Sequence, residues 1–375
     1  MVFRLFVTVL LILFIASCSE GDEAAEYDWQ LRKNFPKPQV PETNPMTAEK
    51  VSLGRHLFYD VNLSANKTQS CATCHIQSLA FAEPTKTSTG STGQVIRRNS
   101  AALVNIAYNK TLTWAHSELK SIERQLLIPM FGEAPVELGI TGHEEDVLAR
   151  FKTEQYKQLF EEAFPDQEIE FDLIVKALAS FVRSLVSLDS PFDRYAYDMQ
   201  DDSLSESALN GMNLFFSEKF ECHHCHGGFN FTQSTFHEKQ ILDRKPFHNT
   251  GLYNISEKGD YPAIDNGLFE ITLEDKDRGR FRAPTLRNIS VTAPYMHDGS
   301  IATLSEVIDF YAAGGRNIES GETKGDGRNN PLKSRFVKGF EITEEEKRDL
   351  INFLNTLTDE KFLTNPAHSN PFTTK

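Results

Sequence analysis

The chain of 375 residues has little of several features that mark common protein classes. It contains five cysteines and two tryptophans, and its formal net charge is −14 at pH 7 with no basic run. This charge argues against nucleic acid and anionic membrane surfaces as partners. The apolar stretch at residues 5–16 is too short to span a bilayer as a helix. With 25% charged and 39% apolar residues, the chain is globular in composition and long enough for two domains.

Four of the five cysteines lie in two copies of one motif. The first copy is the sequence CATCH at residues 71–75, and the second is CHHCH at residues 222–226. Two thiols at this spacing can each add across a vinyl group of haem, and the following histidine can then bind the iron. A zinc site or a redox disulfide also uses paired cysteines, but the two pairs lie far apart in sequence and each is closed by histidine. The motifs therefore predict two covalently bound haem c groups.

The predicted attachment residues are the same in both halves of the chain. The two pairs of cysteines hold the porphyrins, and the histidine of each motif is the proximal iron ligand. These residues are Cys71, Cys74 and His75 for the first haem, and Cys222, Cys225 and His226 for the second.

The N-terminal residues are typical of an export signal. Residues 1–17 carry Arg4 followed by the apolar stretch, and residues 15–18, with the sequence IASC, are similar to a bacterial lipobox. Cys18 is then the lipidated mature N-terminus; the alternative is an ordinary signal peptide with a chance cysteine. We expect an exported protein of the periplasm or cell envelope, held at the membrane only through a lipid at Cys18. Residues 18–45 are polar and are expected to form a tether.

A degenerate repeat predicts two similar helical halves. Gly54 stands three residues before a Leu-Phe pair ahead of the first haem motif, and Gly211 does so ahead of the second. Thr47 and Ser205 are the candidate N-caps of the two helices that contain these glycines.

Each half also has a second helix with an apolar stripe. In the first half the stripe is Ile174, Leu178, Phe181 and Leu185; in the second, Thr343 and Glu346 form a capping box ahead of Leu350, Leu354 and Leu357. We expect a mainly α-helical protein with long loops. Its predicted parts are an N-terminal cytochrome c-like domain at residues 46–200 and a C-terminal one at residues 201–365.

Several further segments resemble the bacterial dihaem cytochrome c peroxidase superfamily. They are residues 98–100 (RNS), 190–195 (SPFDRY) and above all 281–299, with the sequence FRAPTLRNISVTAPYMHDG. Within the superfamily the chain is most similar to the branch of MauG and MbnH, whose members oxidise an amino-acid side chain of a partner protein. The resemblance implies two haems and a calcium site near the interface of two cytochrome c-like domains.

The resemblance also implies how the two irons are ligated. In ordinary members a second histidine caps the N-terminal haem, but no histidine lies between His75 and His116, and the corresponding place is near Ser91. The N-terminal iron is therefore expected to have an open sixth position. The far ligand of the C-terminal haem is expected to be Tyr311, with Met296 as the rival.

Three residues are implied in catalysis by the same resemblance. Trp114 corresponds to the tryptophan that stands between the haems and conducts electrons. Gln125 and Glu137 correspond to the Gln and Glu that act on peroxide bound at the N-terminal haem. The spacing between these two is longer than usual by two residues, which leaves Glu133 as a rival to Glu137.

The calcium ligands implied by the family are an Asn side chain and two backbone carbonyls. They fall on Asn99, Thr292 and Pro294, and oxygen donors of this kind suit Ca²⁺. Eight histidines match no ligand position and are expected to be ordinary polar residues or to support a ligating residue: His56, His116, His143, His223, His224, His237, His248 and His368.

Three functions remain open at this level. The first is a peroxidase that reacts with H₂O₂ at the N-terminal haem and stores an oxidising equivalent at a Tyr-ligated second haem. It then oxidises a side chain of a partner protein, for which tryptophan is the candidate. The second is a cytochrome c peroxidase that reduces H₂O₂ to water with electrons from a small c-type cytochrome or a copper protein. The third is a pure electron-transfer cytochrome.

Overall fold

A computed structural model describes residues 27–33, 35–237, 240 and 246–373. The predicted signal at residues 1–17, Cys18 and the first part of the tether lie outside the described residues. No helix in the described part of the chain is long and apolar enough to cross a bilayer.

The fold is mainly helical, as the sequence predicts. The helices of the first half are α1 (Ala48–Tyr59), α2 (Cys71–Cys74), α3 (Ile122–Phe131), α4 (Glu144–Arg150), α5 (Glu154–Ala163), α6 (Phe171–Ser184) and α7 (Pro191–Asp198). Those of the second half are α8 (Glu206–Phe215), α9 (His223–His226), α10 (Phe269–Thr272), α11 (Leu304–Ala312), α12 (Glu344–Asn355) and α13 (Glu360–Thr364).

Two short antiparallel ribbons accompany the helices. Strand β1 (Phe247–His248) pairs with β2 (Phe281–Arg282), and β3 (Asn317–Ile318) pairs with β4 (Gly325–Asp326). Long irregular segments connect the other elements. Many of the residues around each haem motif therefore lie on loops.

The N-terminal core is built on the crossing of α1 and α6. The two helices meet at Gly54, where an added Cβ would lie 2.0 Å from the carbonyl oxygen of Ala177. Only glycine permits so close an approach of two backbones. Around the crossing, the rings of Phe58, Phe81 and Phe181 pack edge to face or tilted, with centroids 5.1–6.3 Å apart.

The C-terminal core repeats this arrangement with α8 and α12. A Cβ added at Gly211 would lie 1.9 Å from the carbonyl oxygen of Asp349. Phe215 and Phe353 pack beside the crossing, with ring centroids 5.3 Å apart. The degenerate repeat in the sequence therefore marks two equivalent helix crossings.

Local signals in the sequence are confirmed at these helices. The side chains of Thr47 and Ser205 accept hydrogen bonds from the first turns of α1 and α8. Thr343 and Glu346 form the predicted capping box of α12. The four stripe residues of the first half are fully buried, in agreement with a core role.

The division of the chain at residue 200 is less clean than the sequence indicates. Phe362 and Leu363 of α13 belong to the N-terminal core. Conversely, Trp114 and Ala115 pack with the C-terminal residues Tyr253, Phe281 and others. The chain end thus returns to the first half, and a loop of the first half contributes to the second.

The tether prediction is wrong for the described residues before α1, because they dock on the body of the protein. Arg32 pairs with Asp189 and with Asp198 at 2.5 Å. Phe35 packs edge to face on Tyr197, with centroids 4.7 Å apart. Asn44, which is buried, donates hydrogen bonds of 3.0 Å to Glu123 and to the carbonyl of Lys176. These polar and aromatic contacts are not visible in the apolar periodicity.

Candidate functional site

The first cysteine motif forms the short helix α2. A reciprocal capping box between Ser70 and Thr73 starts the helix, and His75 ends it. The Nδ1 atom of His75 lies 2.6 Å from the carbonyl oxygen of Phe81. Because a carbonyl only accepts hydrogen bonds, Nδ1 carries the proton and Nε2 keeps its lone pair. Burial lowers the pKa of His75, so the ring stays neutral and can bind a metal ion through Nε2.

The second motif has the same design on α9. Nδ1 of His226 lies 3.2 Å from the carbonyl oxygen of Phe231 and 3.1 Å from that of Pro284. Nε2 is again left as the ligating atom, and burial lowers the pKa of this histidine too. Each proximal histidine is thus oriented by backbone carbonyls, as metal-binding imidazoles usually are.

The surroundings of all four motif cysteines disfavour a thiolate, because burial raises the pKa of each. Burial, followed by the neighbouring Cys74, raises the pKa of Cys71 to about 12, and burial raises those of Cys222 and Cys225 to about 12 as well. Among the residues that the structure describes, neither pair belongs to a group of three or more potential ligands close enough to share a metal ion. A zinc site needs such a group with thiolate donors, so thioether attachment fits these cysteines better.

A cavity opens beside the second motif. Its volume is about 230 Å³, and its walls are mostly apolar. The residues that line it include Cys222, Cys225, His226, Trp114, Met296 and Tyr311. Both cysteines, the proximal histidine and both candidate far ligands therefore face one space.

Arg282 makes this cavity fit an acidic prosthetic group. The residue is 4% exposed, and its Nε donates a hydrogen bond of 2.8 Å to the carbonyl of Thr113. Its Nη1 is buried without a hydrogen-bond partner, and burial lowers the pKa of the guanidinium to about 10. A buried cation with an unused donor needs an anion. The carboxylate edge of a haem supplies one, and the apolar walls suit its ring.

Near the first motif the structure separates the two candidate glutamates. Glu133 is exposed, whereas Glu137 is half-buried. Burial, and after it the carboxylate of Glu83, raises the pKa of Glu137 to about 7. Glu137 in turn contributes to the raised pKa of both Cys71 and Cys74, so its carboxylate lies close to the haem attachment thiols. This favours Glu137 over Glu133.

The loop near Ser91 is joined to the segment of Glu137, and helix α3 carries the second candidate residue, Gln125. The backbone N–H of Ser91 donates a hydrogen bond of 2.8 Å to the carbonyl of Glu137. Gln125 lies on α3, half-buried, with its Oε1 buried and without a partner. Such an orphaned acceptor is the kind of group that a bound hydrogen-bond donor satisfies.

Trp114 links the cavity to the predicted calcium ligands. Its Nε1 donates a hydrogen bond of 2.8 Å to the backbone carbonyl of Asn99. Asn99 is buried, and its backbone N–H donates to the carbonyl of His297 at 2.8 Å. Asn99, Thr292 and Pro294 line the same cavity as Trp114. The fold therefore brings together three segments that are far apart in sequence.

Comparison with known proteins gives the family. A family model for di-haem cytochrome c peroxidase matches residues 48–202. Cytochrome-c peroxidase IdrP1 of Pseudomonas sp. is 32% identical over 94% of this chain and 91% of its own length. The chain belongs to the dihaem cytochrome c peroxidase and MauG family. It is accordingly a haem-dependent oxidoreductase, and its family implies two haem c cofactors.

Two further relatives of this dihaem enzyme represent the MauG side of the family. The methylamine utilization protein MauG of Methylorubrum extorquens is 33% identical over 92% of this chain and 88% of its own length. The crystal structure of a MauG-like protein associated with microbial copper homeostasis matches with a TM-score of 0.89 and 46% identity. That match covers 92% of this chain and 100% of the other.

Both candidates for the far ligand of the dihaem enzyme's second haem reach the cavity. Tyr311 lies on α11, and its pKa is raised by burial and then by the thiols of Cys225 and Cys222, which are its neighbours. Met296 sits in a turn with φ of +73° and packs in the same apolar cluster. The phenol of Tyr311 is thus close to the attachment thiols of the second motif.

Two residues of the dihaem site were missed by sequence reasoning. Arg282 lies inside the segment at residues 281–299, but the family resemblance implies no role for it. Glu83 is 5% exposed and accepts hydrogen bonds from Ser100 at 2.8 Å and Thr85 at 3.0 Å. A charged residue between apolar neighbours was the available signal for both, as in the segment AFAEP at residues 80–84.

Proposed function

We propose that this protein is a MauG-type peroxidase, which uses H₂O₂ to oxidise a side chain of a partner protein. The observation that carries the proposal is Tyr311, whose phenol faces the cavity of the second haem motif beside both thiols. A phenolate ligand favours oxidised iron, which suits a haem that stores an oxidising equivalent. The 46% identity to a MauG-like protein supports the same branch.

The haems, when bound, supply the activation of H₂O₂ and the storage of oxidising equivalents. Around the first of them, Glu137 is proposed to take a proton from one peroxide oxygen and return it to the departing one. Its pKa of about 7 suits both steps near neutral pH. Gln125 is proposed to accept a hydrogen bond from peroxide through Oε1, which has no partner in the described residues. We propose an open face opposite His75, because the place where ordinary members carry a capping histidine falls near Ser91, and no histidine lies between His75 and His116.

Trp114 is proposed to carry electrons between the two halves. Its ring lines the cavity of the second motif, and its Nε1 is fixed on Asn99. Two electrons leave the partner side chain in each turnover, while H₂O₂ and two protons become two water molecules. Because the electrons travel through the protein, the partner side chain needs no pocket next to iron.

The calcium ion remains part of this proposal. Asn99, Thr292 and Pro294 are proposed as its ligands, with water completing the coordination shell. These residues adjoin Trp114, so an ion there fixes the segment on which the proposed electron path depends. We also propose cytochrome c-like halves at residues 46–200 and 201–365. Trp114 of the first half packs in the second, and α13 of the second half packs in the core of the first.

The partner is proposed to be an exported protein that meets this enzyme in the periplasm or at the cell envelope, where a lipid on Cys18 would hold the enzyme. Tryptophan is the candidate side chain. The MauG-like relative is associated with microbial copper homeostasis. We therefore propose a partner that itself handles copper.

The test is oxidation of a neighbouring-gene product in the presence of H₂O₂, read by mass spectrometry. Wild-type enzyme is expected to change the mass of one partner side chain, which loses two hydrogens or, where a water molecule adds to the oxidised ring, gains one oxygen. Tyr311→Phe is expected to abolish this change while both haems stay attached. Tyr295→Phe is the matched control, because Tyr295 lines the same cavity and donates a hydrogen bond of 3.0 Å to the carbonyl of Ile289. Partner oxidation that survives Tyr311→Phe contradicts the proposed role of the phenol.

A second candidate is a cytochrome c peroxidase that takes electrons from a small c-type cytochrome or a copper protein. It is favoured by Met296, whose side chain lines the cavity beside Tyr311. A neutral sulfur ligand raises the reduction potential of a haem, whereas a phenolate lowers it. A second haem with a clearly positive midpoint potential therefore supports this candidate and excludes Tyr311 as the ligand.

A further inference from the structure

The two residues between the cysteines of the second motif are both histidines. They begin helix α9, and their side chains are 23% and 29% exposed. Their rings lie side by side with centroids 4.2 Å apart and an interplanar angle of 34°. The sequence assigns no role to them, because attachment of haem requires only the cysteines and the final histidine.

A carboxylate reaches both rings from the preceding turn. One oxygen of Glu218 lies 3.4 Å from Nε2 of His223, and the other lies 3.5 Å from Nε2 of His224. The ligand atoms of these three side chains all lie within 4.8 Å of one another. No other group of three such side chains is found in the part of the chain that the structure describes.

The distances fit a shared ion better than direct hydrogen bonds. Ligands bonded about 2.0–2.2 Å from a tetrahedral ion lie roughly 3.3–3.6 Å apart, whereas a good N–H···O bond is about 2.9 Å long. Both contacts of Glu218 fall in the first range. We propose that Glu218, His223 and His224 form a binding site for one divalent transition-metal ion of the class of Zn²⁺ and Cu²⁺, beside the second haem attachment motif.

The surroundings hold the two imidazoles in place. His224 stacks on Phe336 with ring centroids 4.2 Å apart and an interplanar angle of 16°. Its Nε2 also lies 2.7 Å from Glu221, whose other carboxylate oxygen is 2.7 Å from Nζ of Lys338. By the same distances this contact with Glu221 is a direct hydrogen bond, which a bound ion would have to displace from Nε2 of His224. Nδ1 of His223 is buried without a partner, so this ring has no competing hydrogen bond from that atom.

The donor set selects the class of ion. Two imidazole nitrogens with one or two carboxylate oxygens suit Cu²⁺ and Zn²⁺, and Cu²⁺ binds such sites more tightly than Zn²⁺. Ca²⁺ and Mg²⁺ prefer oxygen ligands alone. The site is thus distinct in chemistry from the proposed calcium ligands, and it does not depend on the branch of the family.

The experiment uses the haem-loaded full chain, prepared without a histidine tag and stripped with chelator. Calorimetric titration with Zn²⁺ and with Cu²⁺ is expected to show one ion bound per chain. Electron paramagnetic resonance of the Cu²⁺ sample is expected to show nitrogen ligands. His223→Gln combined with His224→Gln is expected to abolish this binding. Glu218→Gln is expected to weaken it at least about tenfold.

The matched control is His143→Gln, which changes an exposed histidine that neighbours Glu144 but is paired with no second histidine. The His143→Gln variant is expected to bind Zn²⁺ and Cu²⁺ as the wild type does. The visible spectrum and the covalent haem content are measured for every variant. If the double histidine variant loses haem, Glu218→Gln decides the outcome, because Glu218 lies outside the motif. An unchanged titration in Glu218→Gln and the double variant, or no bound ion in the wild type, overturns the proposal.

Discussion

Replacing Asp193 by Asn removes one half of a fully buried ion pair. The side chains of Asp193 and Arg287 are both 0% exposed, and two hydrogen bonds of 2.8 and 2.9 Å join the carboxylate to the guanidinium. The carboxylate also accepts bonds from the N–H and Oγ of Ser190 at 2.9 and 2.8 Å. Asn can keep part of this network but leaves the guanidinium without a counter-charge.

The expected loss of stability is large. Breaking a buried pair by removing one partner costs about 3–5 kcal/mol, whereas an exposed pair contributes about 0–1 kcal/mol. Asp198→Asn is the matched control, because Asp198 is 38% exposed and pairs with Arg32. Urea unfolding of the haem-loaded variants is the measurement. If the two variants lose the same free energy of unfolding, the guanidinium of Arg287 is not left as a buried, unpaired charge, and the reasoning is refuted.

The pH dependence has a definite sign. Burial by itself raises the pKa of Asp193, but the charge and hydrogen bonds of Arg287 outweigh it, so the net pKa lies below the usual value of 3.8. The stabilisation is therefore present above about pH 3.8 and is lost as the pH falls below it. The difference in stability between wild type and Asp193→Asn is expected to shrink in that acidic range. A difference that grows on acidification contradicts the reasoning.

The same change is expected to reach the second haem. Arg287 donates from Nε to the carbonyl of Phe229 at 3.0 Å, and Phe229 lies on the loop that returns to His226. Loss of Asp193 therefore loosens the segment that orients the proximal imidazole. The visible spectrum of the second haem should change, while that of the first should not.

Three further predictions concern the first haem side, the helix crossings and the cavity. Glu137→Gln should slow the reaction with H₂O₂ by about 10²–10⁴-fold. In the wild type the rate should rise as the pH passes through about 7, because only the carboxylate can take the proton, and the variant should lack this rise. A wild-type rate that does not change with pH contradicts this. Gly54→Ala should destabilise the protein by about 1–3 kcal/mol, since the added Cβ would lie 2.0 Å from a carbonyl oxygen and this outweighs the gain of about 1 kcal/mol in helix propensity. Ser52→Ala, on the exposed side of α1, is its control in urea unfolding. Arg282→Met should lower the midpoint potential of the second haem, because a buried positive charge disfavours ferric iron, and an unchanged potential would place Arg282 away from the haem.

Sequence reasoning worked where the signal is local. The caps at Thr47, Ser205 and Thr343 and the apolar stripe from Ile174 to Leu185 each depend on residues within a few positions of one another. Gly54 and Gly211 are visible in the sequence as a repeat, but the reason why each must be glycine is not. The neighbours that require a glycine are Ala177 and Asp349, more than a hundred residues away along the chain.

Contacts between distant segments account for the errors and omissions. Residues 27–45 have no apolar period, so they resemble a tether, yet Arg32 and Asn44 find their partners on α6, α7 and nearby loops. The closing helix α13 contributes Phe362 to the core of the opposite half. Neither contact leaves a mark in the local pattern of residue types.

The amino-acid sequence by itself determined the covalent chemistry of this protein: two thiol pairs, each followed by a histidine, on two helical halves. These features depend only on the spacing of residues along the chain, and that spacing can be read directly from the sequence. The tertiary structure alone shows which side chains lie near each motif: Glu137 and Glu83 near the first, and Tyr311, Met296 and the orphaned Arg282 at the cavity of the second. Burial and the approach of charges set the protonation of these groups, and both arise when segments far apart in sequence pack together.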